Sequence, residues 1–270
     1  MIFVAVGVTV SLLREPELLQ NLDWLFALLV LLCGVPVTIT LNAYEFLLSG
    51  RLVGRGIPFV RALEIAIVGT AANMLPLPGA TLVRIVGLKA AGAGSGDSVQ
   101  ATLFVASIWF GIAFLIAGLW MPPLEVPWLR EGFLAFGAAA SIASLYWARR
   151  LAGGLSVPVQ VGFVKLLLVL TDVVRMLVCL RALGVDSTLA QNAAFAVTSV
   201  VGNVASVVPA GLGVREGLSA ALAPLVGITA SAGFVAASLN RLLGMVVILP
   251  LSAFLAAGLQ PGCKAKDQAA

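Results

Sequence analysis

The stretch Ser98–Trp120, SVQATLFVASIWFGIAFLIAGLW, carries no charged residue and ends on a tryptophan. As a helix rising 1.5 Å per residue it is ~35 Å long, enough to cross a hydrocarbon core about 30 Å thick. Trp109 lies within it, and Trp120 stands where an aromatic belt meets the headgroups. This is the pattern of a membrane span, and the rest of the chain repeats it.

Toward the N-terminus, the Gly/Ser loop Gly92–Gly96 is preceded by a shorter helical stretch, Thr81–Ala91. Before that, the apolar run Phe59–Leu77 is stopped by Pro76-Leu77-Pro78-Gly79. A loop with Arg51 and Arg55, Ser49–Pro58, separates this run from a full span, Trp24–Leu48. Met1–Leu13 is apolar but short; it has no basic leader and no small-residue cleavage site, so it does not read as a signal peptide. Toward the C-terminus, a proline-rich turn, Met121–Trp128, leads into Leu129–Trp147, which Arg149-Arg150 close. Val161–Leu180 follows, then Leu189–Val208 running into Pro209-Ala210-Gly211-Leu212-Gly213, then a shorter helix Val214–Val226. Ala232–Ala257 is the last span, followed by a short polar tail with Lys264 and Lys266.

Hydrophobic residues make up 61% of the 270 and charged residues 10%, against about 45–50% and about 25% in a soluble domain. Spans of about 20 residues leave room for roughly six to eight membrane segments and no separate soluble domain. The net charge of +4 does not indicate nucleic acid, because Lys and Arg sit singly or in small groups at the ends of apolar runs. Histidine is absent, which removes the commonest metal ligand and general base. Cys33, Cys179 and Cys263 form no CxxC pair and read as unpaired thiols. No motif requires a metal or a cofactor.

Sliding the chain on itself by 130 residues lays Arg51 on Arg181, Gly54 on Gly184, Asn73 on Asn203 and Asn42 on Asp172; one insertion then brings Arg84 onto Arg215. Repeat one covers about 1–127 and repeat two about 128–260, with 261–270 a polar tail. If Phe59–Leu77 and Leu189–Val208 each cross the membrane, basic residues divide seven and seven between its sides. If each instead enters and returns, Arg51, Arg55, Arg61, Lys89, Arg149, Arg150, Lys165, Lys264 and Lys266 share one side against Arg14, Arg130 and Arg181. The second division obeys the positive-inside rule. The expected architecture is an all-α integral membrane protein of a cell membrane. It has about six transmembrane helices plus two broken re-entrant hairpins in an inverted repeat, with a cytoplasmic C-terminus. Inverted repeats with broken helices are a transporter feature.

The second arms of the breaks begin after Gly79 and Gly213, where helix N-termini point N–H groups at the midplane and favour an anion. Arg84 and Arg215 stand in their first turns and either hold a phosphate bidentately or snorkel to the surface. Asn73 and Asn203 either satisfy freed backbone groups or contact a ligand. Asp172 and Arg175, spaced i, i+3, can pair on one helix face, and Asp172 belongs to a polar pathway or to helix–helix contacts. Glu45, within one turn of its helix end, reads as interfacial. Arg241, deep in the last span beside Asn240, needs a carboxylate, for which Glu216 and Asp172 are candidates.

The segment Pro209–Gly217, with Asn73–Gly79 and Arg84, resembles the transmembrane-region family of lysylphosphatidylglycerol synthases over about Trp24 to Ala257. The resemblance implies a polytopic membrane protein that moves lipids, including aminoacylated phospholipids, between leaflets. Ligand contacts are expected at the two breaks, at Gly79, Gly211, Gly213, Arg215 and Glu216; the resemblance implies no aminoacyl transfer, which belongs to a separate soluble domain. The first break departs from the pattern, having Ala80-Thr81 where an acidic residue is expected.

The leading expectation is therefore a non-enzymatic flippase for a membrane lipid with a phosphate-bearing headgroup. A membrane-embedded lipid transferase is disfavoured because no motif pairs a nucleophile with a base. A non-catalytic partner of an envelope lipid or glycolipid enzyme is the other alternative, and a homo-oligomer is compatible with both.

Overall fold

The computed structural model describes residues 2–20, 22–73, 79–122, 127–152, 154–204 and 213–258, and these are helical with no strand among them. In lipid an open strand leaves backbone groups unsatisfied, whereas a helix pairs them internally. Helix α1 (Ile2–Arg14) and the single turn α2 (Glu17–Gln20) precede a long continuous helix, Trp24–Leu52. It consists of α3 (Trp24–Leu29), a π-helical turn Val30–Gly34, and α4 (Val35–Leu52). Next come α5 (Phe59–Ala72), α6 (Gly79–Ala90), α7 (Ser95–Trp120), α8 (Pro127–Ala152) and α9 (Ser156–Ala182). The chain continues through α10 (Leu189–Ala193), α11 (Ala196–Val204), α12 (Val214–Leu222), a 3-10 turn Pro224–Val226, and α13 (Ala230–Gly258).

Three helices are long and apolar enough to cross a membrane: Trp24–Leu52, Ser95–Trp120 and Ala230–Ala257. Helices α8 and α9 match them in length, at 26 and 27 residues. Large apolar side chains face outward as well as filling the core, and a few ionic groups are buried. Leu32, Leu103, Ile142, Phe163, Leu242 and Phe254 are exposed, while Glu45, Lys165, Glu216 and Asn240 are buried. Only a hydrocarbon solvent makes that arrangement favourable, and the chain is a helical membrane protein.

Boundaries differ from the sequence reading where local chemistry overrides hydropathy. The first full span runs on to Leu52, because the helix ends at a glycine-based cap and not where polarity rises. Gly54 has φ 69°, its N–H donates to the Arg51 carbonyl at 3.1 Å, and Arg55 N–H donates to the Gly50 carbonyl at 2.8 Å. This is a Schellman motif. Helix α9 ends in the same motif 130 residues later, with Gly184 (φ 74°) bonded to Arg181 at 3.0 Å and Val185 bonded to Leu180 at 3.0 Å. The described part of the run Leu189–Val208, to Val204, is two helices, because Thr188 and Gln191 form a capping box that starts α10 and the chain turns at Ala194-Phe195 before α11. The helix predicted over Val214–Val226 stops at Leu222 and continues as the 3-10 turn.

Helices α7 and α8 form a tight hairpin in which small residues let the backbones approach. A Cβ on Gly137 would lie 2.6 Å from the Leu115 nitrogen, and Ser144 Oγ donates to Ser107 Oγ at 2.8 Å across the pair. Helices α4 and α9 run antiparallel, since Thr38 meets Arg175 at 3.1 Å while Glu45 meets Lys165 at 2.9 Å.

Candidate functional site

Two helical hairpins meet at the centre of the bundle. Helices α5 and α6 fold back on each other: a Cβ on Gly87 would lie 2.8 Å from Ile65, and one on Gly79 would lie 2.0 Å from the Ala72 carbonyl oxygen. At that tip only glycine fits. Helices α11 and α12 do the same, with Ser219 Oγ donating to Thr198 Oγ1 at 3.2 Å and Gly202 packed against the Arg215 backbone. The tips touch where Asn73 Nδ2 donates to Asn203 Oδ1 at 3.4 Å. The remaining atoms of both asparagines satisfy backbone groups. Ala80 N–H donates to Asn73 Oδ1 at 2.9 Å, and Asn203 Nδ2 donates to the Ser199 carbonyl at 2.8 Å.

At each break one backbone donor is taken by a side chain. Ala80 N–H is taken by Asn73, and Gly213 N–H donates to Glu216 Oε2 at 2.9 Å, half of a capping box. Gly213 has φ 92°, a left-handed conformation that side chains resist. Polar side chains also converge at this place.

Those side chains surround a cavity of about 340 Å³ bounded by α4, α5, α6, α7, α9, α11, α12 and α13. Its charged residues form two clusters and one pair. In the first cluster, Arg84 Nη1 donates to both oxygens of Glu45, at 2.5 and 2.6 Å, and Lys165 Nζ donates to Glu45 Oε2 at 2.9 Å. Lys165 also lies 5.0 Å above the Trp109 ring, a cation–π contact. Glu45 is fully buried.

In the second cluster, Arg215 Nη2 donates to Asp172 Oδ1 at 3.0 Å and to Oδ2 at 3.2 Å, and Ser199 Oγ donates to the same carboxylate. Arg175, one turn along α9, donates to Thr38 Oγ1 and to the Asn240 carbonyl, each at 3.1 Å. Its stem passes the π-helical turn, where a Cβ on Gly34 would lie 2.9 Å from Arg175 Cγ. The pair is Arg241 with Glu216, at 3.1 Å. Thr38 and Glu45, which bound the two clusters, are seven residues apart on α4, so the clusters stand ~10 Å apart along the helix axis.

The charges do not balance. Among the described residues, Glu45 accepts from two cations, Asp172 accepts from Arg215 with Arg175 one turn along the same helix, and Glu216 accepts from Arg241, so five cations meet three carboxylates and two positive charges remain. A buried charge without a partner costs several kcal/mol. Here the surplus faces a cavity lined by Thr38, Asn42, Asn73, Thr102, Ser199 and Asn203.

Of the residues singled out from the sequence, Asn73, Arg84, Asp172, Asn203, Arg215 and Arg241 line this one cavity. Glu216 stands behind it, fully buried, and Gly79 and Gly213 shape the hairpin turns. Gly211 lies outside the described residues. Three readings are corrected. Glu45 is not interfacial: it is drawn inward by Arg84 and Lys165. Lys165 does not sit at a membrane edge, because the Glu45 carboxylate and the Trp109 ring hold it inside. Asp172 does not form its bonds with Arg175; Arg215 and Ser199 supply them, and Arg175 reaches across to α4 and α13. One signal was available for these positions. The same shift that lays Asn42 on Asp172 lays Glu45 on Arg175, both ionic.

Among the described residues no group of three or more His, Cys, Asp or Glu is placed to hold a metal ion. Cys33 and Cys179 are free thiols. No protein-family model matches the chain, and no characterised protein or solved structure matches it either.

Proposed function

We propose that this protein is a lipid flippase that carries a phosphate-bearing headgroup through the central cavity while the acyl chains stay in the bilayer. The observation that carries this reading is a single cavity inside an apolar bundle, bordered by two clusters that each hold two cations and one carboxylate. A headgroup anion crossing hydrocarbon unaided meets a prohibitive desolvation cost; two spare cations remove much of it.

The same proposal includes the inverted repeat. Helices α4 and α9 end in the same motif 130 residues apart and run antiparallel, and Asn73 and Asn203, also 130 apart, touch each other. A residue that contacts its own counterpart lies close to a two-fold axis. Each hairpin arm, from 9 to 14 residues, is too short to span ~30 Å, which supports hairpins that enter and return. Two halves of opposite direction can rock about the shared site and open it to each side in turn. Membership of the lysylphosphatidylglycerol synthase transmembrane-region family belongs to the proposal on the strength of Pro209–Gly217 and Asn73–Gly79.

The test is reconstitution of the purified protein in liposomes containing a headgroup-labelled phospholipid and native lipid extract, read by leaflet-selective quenching. Faster exchange than in empty liposomes is expected, with Arg215→Gln reconstituting equally and exchanging more slowly. Exchange at the rate of empty liposomes for every lipid offered overturns the reading and leaves a partner of an envelope lipid enzyme in its place.

A further inference from the structure

Resting on that reading, we infer that the cavity selects a doubly charged phosphomonoester over a singly charged phosphodiester. The surplus of two positive charges is divided, one at each cluster, and the clusters stand ~10 Å apart on antiparallel helices. A phosphate group between them lies within ~5 Å of both. One negative charge neutralises one cluster and leaves the other unpaired; two neutralise both. At such distances in a partly desolvated site, one extra matched charge changes affinity by at least about tenfold.

Unused hydrogen-bonding atoms lie on residues that line the cavity and become available to a phosphate when those side chains turn toward it. The Asn240 side chain lines the cavity, is 1% exposed, and has neither Nδ2 nor Oδ1 bonded among the described residues. Arg175 Nε and Arg215 Nε, on the two arginines of the second cluster, are likewise buried without a partner. Buried polar atoms are nearly always satisfied, and three unsatisfied donors bordering one cavity fit the acceptor oxygens of a phosphate. A zwitterionic phospholipid or a lipid with an added ammonium brings a positive charge into a site that already has two in excess. The site therefore takes the terminal phosphate of a lipid phosphomonoester or a free phosphate ion, which share this chemistry.

The experiment uses the full-length protein in an uncharged detergent at about pH 8, above the second ionisation of a phosphomonoester near 6. Affinities come from the rise of the unfolding midpoint with ligand concentration. Four probes are compared: short-chain phosphatidate against short-chain phosphatidylmethanol, and methyl phosphate against dimethyl phosphate. In each pair the monoester should bind at least tenfold more tightly. Asn240→Asp, which keeps the shape and removes one unit of surplus charge, should cut both margins about tenfold. Phosphatidate binding well above methyl phosphate assigns the lipid as the source, and equal affinities assign the free ion. Equal binding of the two ester classes, no binding of any probe, or an unchanged margin in Asn240→Asp overturns the inference. Should Asn240→Asp not fold, the wild-type margin decides. Leaflet exchange is read separately: monoester selectivity without lipid movement sinks the flippase reading alone, and movement without selectivity sinks this inference alone.

Discussion

Replacing Glu45 by Gln tests whether the first cluster is a true buried ionic centre. The carboxylate accepts from Arg84 at 2.5 and 2.6 Å, from Lys165 at 2.9 Å and from Ser49 Oγ at 3.2 Å, and it is fully buried. Gln keeps the shape, removes the charge, and turns an amide donor toward one of the cations. Breaking a buried pair by removing one partner costs about 3–5 kcal/mol, chiefly because the other charge is stranded. Two cations are stranded here, but unequally. The Arg84 side chain keeps 18% exposure and can take water, whereas Lys165 keeps 6%. The expected loss is therefore near the lower bound, about 3 kcal/mol, and most of it belongs to Lys165. It follows that Lys165→Met, which leaves Glu45 and Arg84 as a balanced pair, should cost about 1 kcal/mol. Adding it to Glu45→Gln should recover stability, with a coupling of about 1–3 kcal/mol. Reversible unfolding in mixed micelles of increasing SDS fraction, followed by circular dichroism, measures all three variants. If Glu45→Gln falls within about 0.5 kcal/mol of wild type, or the two losses add, the carboxylate is not holding two buried cations.

Arg84→Lys and Arg215→Lys should slow lipid exchange about tenfold with little change in unfolding, because lysine keeps the charge but loses the planar set of donors; wild-type exchange in the double variant would assign both arginines to packing. Gly79→Ala should abolish folded protein in detergent, since its Cβ would lie 2.0 Å from the Ala72 carbonyl oxygen; normal gel-filtration behaviour would show that the tip opens more readily than the fold implies. Single cysteines in Ser49–Pro58, in Gly92–Gly96 and at Leu155 or Ser156 should label from one membrane side, the cytoplasmic one. Labelling of Gly92–Gly96 from the other side would remove the first re-entrant hairpin.

The fold was legible where hydropathy and helix-stopping residues act together. Ser98–Trp120 appears as α7, Pro76-Leu77-Pro78 separates α5 from α6, and the shift of 130 residues recovers two matching helix caps. Hydropathy fails where capping decides instead. Thr188 and Gln191 start a short helix inside a uniformly apolar run, and Gly54 lets α4 continue past Leu48. The π-helical turn at Val30–Gly34 is marked in the sequence only by Gly34 and by Pro36, whose missing N–H cannot bond the Leu32 carbonyl. Its consequence is visible only in space, where Arg175 uses the room that a side chain would fill.

The site was half legible, and the missing half has one physical cause. Reading charges along a chain assigns each to its own helix, so Asp172 is matched with Arg175 by spacing, and Glu45 and Lys165 with the nearest helix ends. Within a helical bundle the cheaper partner lies on another helix, because an ionic side chain there must either find an opposite charge or reach the headgroups. Glu45, seven residues from the end of α4, would need to travel ~10 Å to reach its helix end, whereas Arg84 and Lys165 are at hydrogen-bond distance. The same competition explains Arg175. Its neighbour Asp172 already accepts from Arg215 and Ser199, so Arg175 bonds to the neutral oxygens of Thr38 and Asn240. A cation satisfied by neutral acceptors keeps its charge uncompensated. That residual charge, which no single helix reveals, is what the proposed anion site rests on.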